Sequence, residues 1–337
     1  MIPIPADLLK RLRLEQAIKD EADSWQSLLP QPPGWDQAIS QSKALAQWLH
    51  GQLLAGLPCT SEVVNSAWKA SHGVRPVPIW GFAERVTYRA IVDFILRNEL
   101  PLDRTAEAYL AFISGPAKYG QSLAPKTKTT SIASIFNSPV KYIVQADITA
   151  FYECIDHGVL AKELLTRTGD FAAIQCLMSL LSEVKGREFG LPQLLEPSDR
   201  LSEIYIDTLE RDLLRRGWAV WRFNDDFRIA VLDFAGALAA LEDMSSSARE
   251  LGLTLSEMKT TTPRYSTYLF NYFGLQVDSV VPEDLKLQQA EDAVGDYTEG
   301  VGETDPTWAV NLIVAAKTPD GKGDQRSEEG IEVISAK

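Results

Sequence analysis

Cysteine is scarce in this chain, with three among 337 residues. Cys59, Cys154 and Cys176 are unpaired by spacing and lie mostly in apolar company, which argues for reduced core thiols over a disulfide framework or a metal site. No apolar run approaches the roughly 18 residues that cross a bilayer, and no charged-then-apolar leader opens the chain. A cytoplasmic protein with no membrane partner is therefore expected. No internal repeat or low-complexity tract is visible. Basic residues are also short, since 33 Lys and Arg face 46 Asp and Glu, for a net charge of −13. That balance opposes nucleic-acid binding, which relies on Lys and Arg releasing counterions from phosphates. Its distribution weakens the objection: residues 278–337 hold 14 acids against 5 bases, so the preceding 277 carry only −4. From Arg104 to Gln145 the count reverses to 5 bases against 1 acid, and a nucleic-acid groove would be sought there.

Acids are present at two strand ends. Trp218 to Trp221 and Ile229 to Leu232 are apolar runs of strand length on either side of Asn224-Asp225-Asp226, and read as a β-hairpin with the acids at its turn. Two such carboxylates repel by about 4 kcal/mol at an effective dielectric of 20, so the pair calls for a cation or a bound proton. Asn-Asp-Asp is equally good turn chemistry. Upstream, Tyr142, Val144 and Ala146 alternate with Ile143, Gln145 and Asp147, a mostly buried strand that delivers one carboxylate at its end. If the strand pairs beside the hairpin, three carboxylates converge as ligands for two oxygen-seeking ions such as Mg²⁺.

Five stretches in register carry a family resemblance. Asp147-Ile148-Thr149-Ala150-Phe151-Tyr152 with Ile155-Asp156-His157, Gly190-Leu191-Pro192-Gln193 with Ser198, Phe223-Asn224-Asp225-Asp226, Leu251-Gly252-Leu253 with Lys259, and Phe273-Gly274-Leu275 resemble, in order and spacing, the palm and primer-grip motifs of reverse transcriptases. Gly73-Val74-Arg75-Pro76 and Glu84-Arg85-Val86 resemble the fingers motif of the bacterial group II intron-like branch. Leu201 to Ile206 and Asp225 to Ile229 are closest in feel to defence-associated and abortive-infection enzymes. The likeness runs from about Lys69 to Val277.

The resemblance implies an α+β fold, a right-hand polymerase palm and fingers with an antiparallel sheet packed on helices. A helical N-terminal region (1–68), fingers and palm (69–277) and a short, acidic, partly disordered C-terminal region (278–337) follow, with a reduced or absent thumb. It implies Asp147, Ile148, Asp225 and Asp226 as the metal set for Mg²⁺ or Mn²⁺, and Lys259 as the proton donor to the leaving pyrophosphate. A surface lysine is the competing view of Lys259. Lys69 and Arg75, flanking a short turn, would grip the triphosphate, and Arg85 matches the same motif while Arg89 could be structural. Tyr152 matches the aromatic gate that excludes a ribose 2′-hydroxyl, or is a core Tyr. Gln193 matches the residue beside the nascent base pair. Glycine usually follows it where backbone approaches substrate; Leu194 stands here, and the Phe-Arg pair of the fingers is missing.

Away from these motifs, residues 1 to 70 read as helices, Leu8 to Leu29 and Gln37 to Leu54 with Asp36 as cap. Trp25, Trp35, Trp48 and Trp68 fall in apolar periodicity and read as core. A helix is expected from Glu84 to Leu100, a flexible loop over Gly115 to Thr130, an Asp156 cap, and helices over Pro197 to Arg215 and Phe234 to Gly252. The function expected is an RNA-directed or template-relaxed DNA polymerase acting on dNTPs and nucleic acid, with an accessory protein or homo-oligomer as further partner, and a role in bacterial antiphage defence. A catalytically silent palm serving as a nucleic-acid-binding or assembly scaffold is the alternative.

Overall fold

The structure is a computed structural model that describes residues 4–24, 34–56, 58–68, 74–124 and 138–273. It is a mixed α+β chain with two small antiparallel sheets, one ordered β1-β2 and the other β3-β5-β4. The N-terminal helices are α1 (Ala6–Leu9), α2 (Leu14–Asp23), α3 (Trp35–Ser40) and α4 (Ser42–Ala55). Strands β1 (Val63–Trp68) and β2 (Val74–Ile79) follow, then α5 (Phe82–Ile95) and α6 (Ala106–Leu123). Strand β3 (Tyr142–Asp147) leads into α7 (Phe151–Cys154), α8 (His157–Thr168), α9 (Phe171–Lys185) and α10 (Glu196–Arg215). Strands β4 (Ala219–Phe223) and β5 (Asp226–Val231) close the sheet, and α11 (Phe234–Glu250) and α12 (Tyr265–Phe273) complete the described chain. No described helix is long and apolar enough to cross a membrane.

Alternation in β3 and β5 gives the larger sheet two unlike faces. Val144, Ala146, Phe227, Ile229 and Val231 point into a core shared with Leu201, Tyr205 and Leu209 of α10 and Ala240 and Met244 of α11. Ile18 of α2 and Leu49 of α4 belong to the same core, so the N-terminal helices pack as part of the body. The opposite face carries Ile143 and Ala230, covered by Ala117 of α6 and by Tyr265, Tyr268 and Leu269 of α12.

Helix α6 corrects the expected loop over Gly115 to Thr130 as far as Leu123; residues 125–130 of that stretch lie outside the described residues. Its glycines serve packing: a Cβ on Gly115 would collide with the Trp221 ring and one on Gly120 with the Tyr265 ring. The Tyr265 hydroxyl donates to the Ala117 carbonyl at 2.9 Å and that of Tyr268 to Ile113 at 2.7 Å. Residues 63–68 form a strand where a helix was expected. Trp35 is buried as expected, whereas Trp48 and Trp68 are 48% and 79% exposed, because apolar periodicity does not reveal whether a neighbour covers the face. Trp25 lies outside the described residues, as do Lys69, Gly274, Leu275 and the C-terminal region 278–337. Asp156 caps α8 through Val159 N–H at 2.8 Å, whereas Asp36 lies within the first turn of α3, after Gly34.

Candidate active site

Strand β3 runs antiparallel to β5 with Asp147 directly opposite Asp226. The β4–β5 connection is a two-residue turn, Asn224-Asp225, in which Asn224 takes φ 52°, a left-handed value that asparagine tolerates. The three acids of the sequence analysis are thus gathered at one end of one sheet. Asp147 is 9% exposed and Asp225 and Asp226 are half-buried. Burial, then the charges of Asp225 and Asp226, pushes the Asp147 carboxyl up to about 7. Burial pushes Asp226 up to about 6, opposed by Arg228 and reinforced by Asp225, and burial raises Asp225 as well.

Cations flank this acidic end. Lys259 Nζ lies 3.6 Å from Asp147 Oδ1, positioned by a loop whose Ser256 N–H donates to the Asp147 carbonyl at 2.7 Å. Ile148 is buried and bridges to Leu255 of the same loop. Arg228, two residues beyond Asp226 on the same strand face, sits 3.8 Å from that carboxylate. Its guanidinium stacks 4.9 Å from the Phe112 ring centroid and donates to the Tyr272 hydroxyl at 3.2 Å. Arg75 approaches from β2: burial holds its guanidinium below the usual arginine value, opposed by Asp225 and Tyr152. Arg222 on β4 is clamped between Glu203 and Glu210 of α10, the latter at 2.7 Å, which fixes the hairpin to the core helix.

Among the described residues, no three His, Cys, Asp or Glu side chains are arranged as a metal-holding group. The donor set still fits a divalent cation in charge and kind, because burial and mutual repulsion keep the proton affinity of the three carboxylates raised despite the flanking cations. The side chains do not already enclose one.

Tyr152 is half-buried, with its hydroxyl donating to Asp199 Oδ1 at 2.6 Å and accepting from Arg104 Nη2 at 3.2 Å. Gln193 lines a cavity of about 240 Å³ between hairpin β1–β2, through Val64, Pro76 and Pro78, and the residues Lys185 and Arg187. Leu194 takes φ 64° and Ala150 φ 48°. With Asn224 these are the non-glycine residues of positive φ among the described residues, and each is within three residues of Asp147, Gln193 or Asp225. Strain of this kind gathers where a site over-determines its backbone.

Arg85 is placed elsewhere than the nucleotide-binding role expected of it. It is buried and ion-paired to Glu21 of α2, which also receives Arg89 Nε at 2.6 Å, so it supports the packing of α2 on α5. Displacing it would leave a buried carboxylate short of charge. The basic segment is also not a groove at its start, since Arg104 is held by Asp199 at 3.1 Å; Lys126 and Lys128 lie outside the described residues. Arg104, Asp199 and Arg228 went unseen as site residues because their partners are distant in sequence. The one signal was the cation Arg228 so close after Asp226.

No protein-family model matches the sequence, and no curated protein matches it. Among solved structures the chain is similar to telomerase from Candida tropicalis in complex with the TWJ fragment of telomeric RNA, at TM-score 0.40 and 14% identity over 67% of this chain and 45% of that one. It is also similar to apo telomerase from the same organism truncated from its C-terminal domain, at TM-score 0.36 and 14% identity over 61% and 50% of the two chains. This chain therefore spans half or less of the length of those structures.

Proposed function

We propose that the protein is a nucleotidyltransferase of the reverse-transcriptase kind, with β3-β5-β4 and its helices as palm within residues 69–277, and with hairpin β1–β2, whose first strand precedes residue 69, as part of the fingers. It transfers a deoxynucleoside monophosphate from a dNTP to a 3′-hydroxyl, RNA-directed or with relaxed template control. The oxygen attacks the α-phosphorus, the α–β bridge bond breaks, and pyrophosphate leaves. One observation carries this reading: Asp147 faces Asp226 across two antiparallel strands, beside Asp225, with Lys259 and Arg75 flanking them. Asp147, Asp225 and Asp226 would hold Mg²⁺ or Mn²⁺, which would neutralise phosphate charge and lower the pKa of the 3′-hydroxyl. Arg75, with Lys69, would bind the triphosphate. Lys259, half-exposed beside Asp147, can give its proton to the departing pyrophosphate. Tyr152 would face the sugar and Gln193 the base. Bacterial antiphage defence is the context that the sequence resemblance implies; a cytoplasmic setting, read from the scarce cysteines, and an accessory protein or second copy go with it.

The test is incorporation of labelled dNTPs, with and without RNA, by wild type and by the double variant Asp225→Asn/Asp226→Asn. Wild type incorporates and the variant does not, while its metal-free melting temperature stays level or rises because the repulsion is gone. Unchanged incorporation in the variant would overturn the site. The silent-scaffold reading draws on Leu194 standing where glycine is usual and on the missing Phe-Arg pair; it requires nucleic-acid binding without incorporation by wild type.

A further inference from the structure

The hydroxyl of Tyr152 is saturated. It donates to Asp199 Oδ1 at 2.6 Å and accepts from Arg104 Nη2 at 3.2 Å, with Ser202 Oγ at 3.4 Å. Arg104 Nη1 closes the triangle on Asp199 Oδ2 at 3.1 Å, where the two side chains are 17% and 10% exposed. The members come from three separate places: Arg104 from the loop before α6, Asp199 and Ser202 from the start of α10, and Tyr152 from α7. Ser202 in turn donates to the Asp199 carbonyl at 2.8 Å. At the other end the ring packs edge-on against Phe151, centroids 5.6 Å apart. The ring is therefore held at both its stem and its tip. Arg104 also counts among the cations that lower the Asp225 carboxyl, so the tether lies within electrostatic reach of the acidic end.

A wall excludes a small group only if it cannot yield. A tyrosine ring free to swing about its first side-chain torsion would move aside for a 2′-hydroxyl at little cost, because rotamers interconvert readily. A ring whose hydroxyl is bonded to a buried ion pair must break charge-assisted hydrogen bonds in order to move. We propose that Arg104 and Asp199 are positioning residues that set sugar discrimination, by holding Tyr152 rigid against the nucleotide. This rests on the reading of Tyr152 as the sugar-facing gate.

The experiment compares kcat/KM for dNTPs and rNTPs in wild type, Tyr152→Phe, Asp199→Asn, the double variant and Tyr152→Ala, with melting temperatures alongside. Tyr152→Phe keeps the ring and its packing, so it reports on the tether even if Asp199→Asn folds poorly. The expected result is a dNTP preference lowered on the order of tenfold by Tyr152→Phe, as for one lost charge-assisted bond. Asp199→Asn does the same, and the double variant goes no further than the larger single effect, because both cut one tether. Most of the change falls in KM for the rNTP, a split that general destabilisation would not produce. If Tyr152→Ala erases the preference while Tyr152→Phe and Asp199→Asn keep the wild-type ratio, the gate stands and the tether is overturned. If Tyr152→Ala also keeps the ratio, the gate reading falls and the tether with it.

Discussion

Hairpins β1–β2 and β4–β5 are of similar length and similar apolar content, yet Val63 and Trp68 of the first are 60% and 79% exposed while Phe227 and Ile229 of the second are at 0%. In β4–β5 the inner strand has a partner on both sides and helices on both faces. In β1–β2 the strands have only each other among the described residues, and a two-stranded hairpin is marginal by itself in water. It is pinned at its base: Glu62 accepts from Lys185 at 3.0 Å and from the Trp80 indole at 3.0 Å, and Val77 and Pro78 are buried. The hairpin with the two acids is therefore set in the core, and the one with Arg75 is anchored at one end only. A site assembled this way has a fixed acidic half and a basic half able to adjust to what it holds.

The sharpest way to break the comparison is to truncate one residue in each hairpin. Ile229→Ala should lose about 2–5 kcal/mol, as for a fully buried aliphatic side chain, and Val64→Ala should stay within about 0.5 kcal/mol, as for a surface change. Urea denaturation measures both; equal losses would mean that both hairpins are core.

A smaller effect is expected at the anchor. Lys185→Met should cost about 1–3 kcal/mol, because Glu62 keeps the Trp80 indole but loses its charge partner in a largely buried place. Hydrogen exchange should quicken in residues 63–68 and 74–79 and not in 226–231. Uniform protection would show that the anchor is not local.

The acidic half offers a pH test. Asp147 and Asp226 titrate near 7 and 6 in the folded protein but near 3.9 unfolded. Between those values the folded state binds more protons, so the stability of metal-free protein falls as pH rises from about 4 to about 7. The slope should flatten in Asp147→Asn and in millimolar Mg²⁺, where a cation bound only by the folded state supports it. Melting curves across that range, with and without Mg²⁺, check it; identical slopes would remove the case for strained carboxylates.

How much was legible follows from where each signal resides. Asp147 and Asp225-Asp226 could be placed at strand ends because alternation and turn chemistry are local. Strand β1 of the first hairpin was not legible, because Val63 to Trp68 carries no alternation of burial; the turn expected near Ser71 to Gly73 lies outside the described residues. Gly115, Pro116 and Gly120 read as a loop because glycine's other use, letting an aromatic ring approach, depends on Trp221 and Tyr265 far along the chain. Arg85 and Tyr152 show the same limit: Glu21 is 64 residues from the first and Asp199 is 47 from the second, and no local pattern forecasts such partners.

The three left-handed positions, Ala150, Leu194 and Asn224, turn the site into something a thermometer can find. An alanine or leucine there is held against a conformational cost of roughly 1–2 kcal/mol that glycine avoids, less about 0.5–1 kcal/mol for glycine's freer unfolded chain. A random library sorted for heat tolerance alone, with no nucleotide or nucleic acid present, should therefore accumulate glycine at 150 and 194. The survivors would mark the turn after Asp147 and the approach to the cavity that Gln193 lines, on a map drawn without a single turnover.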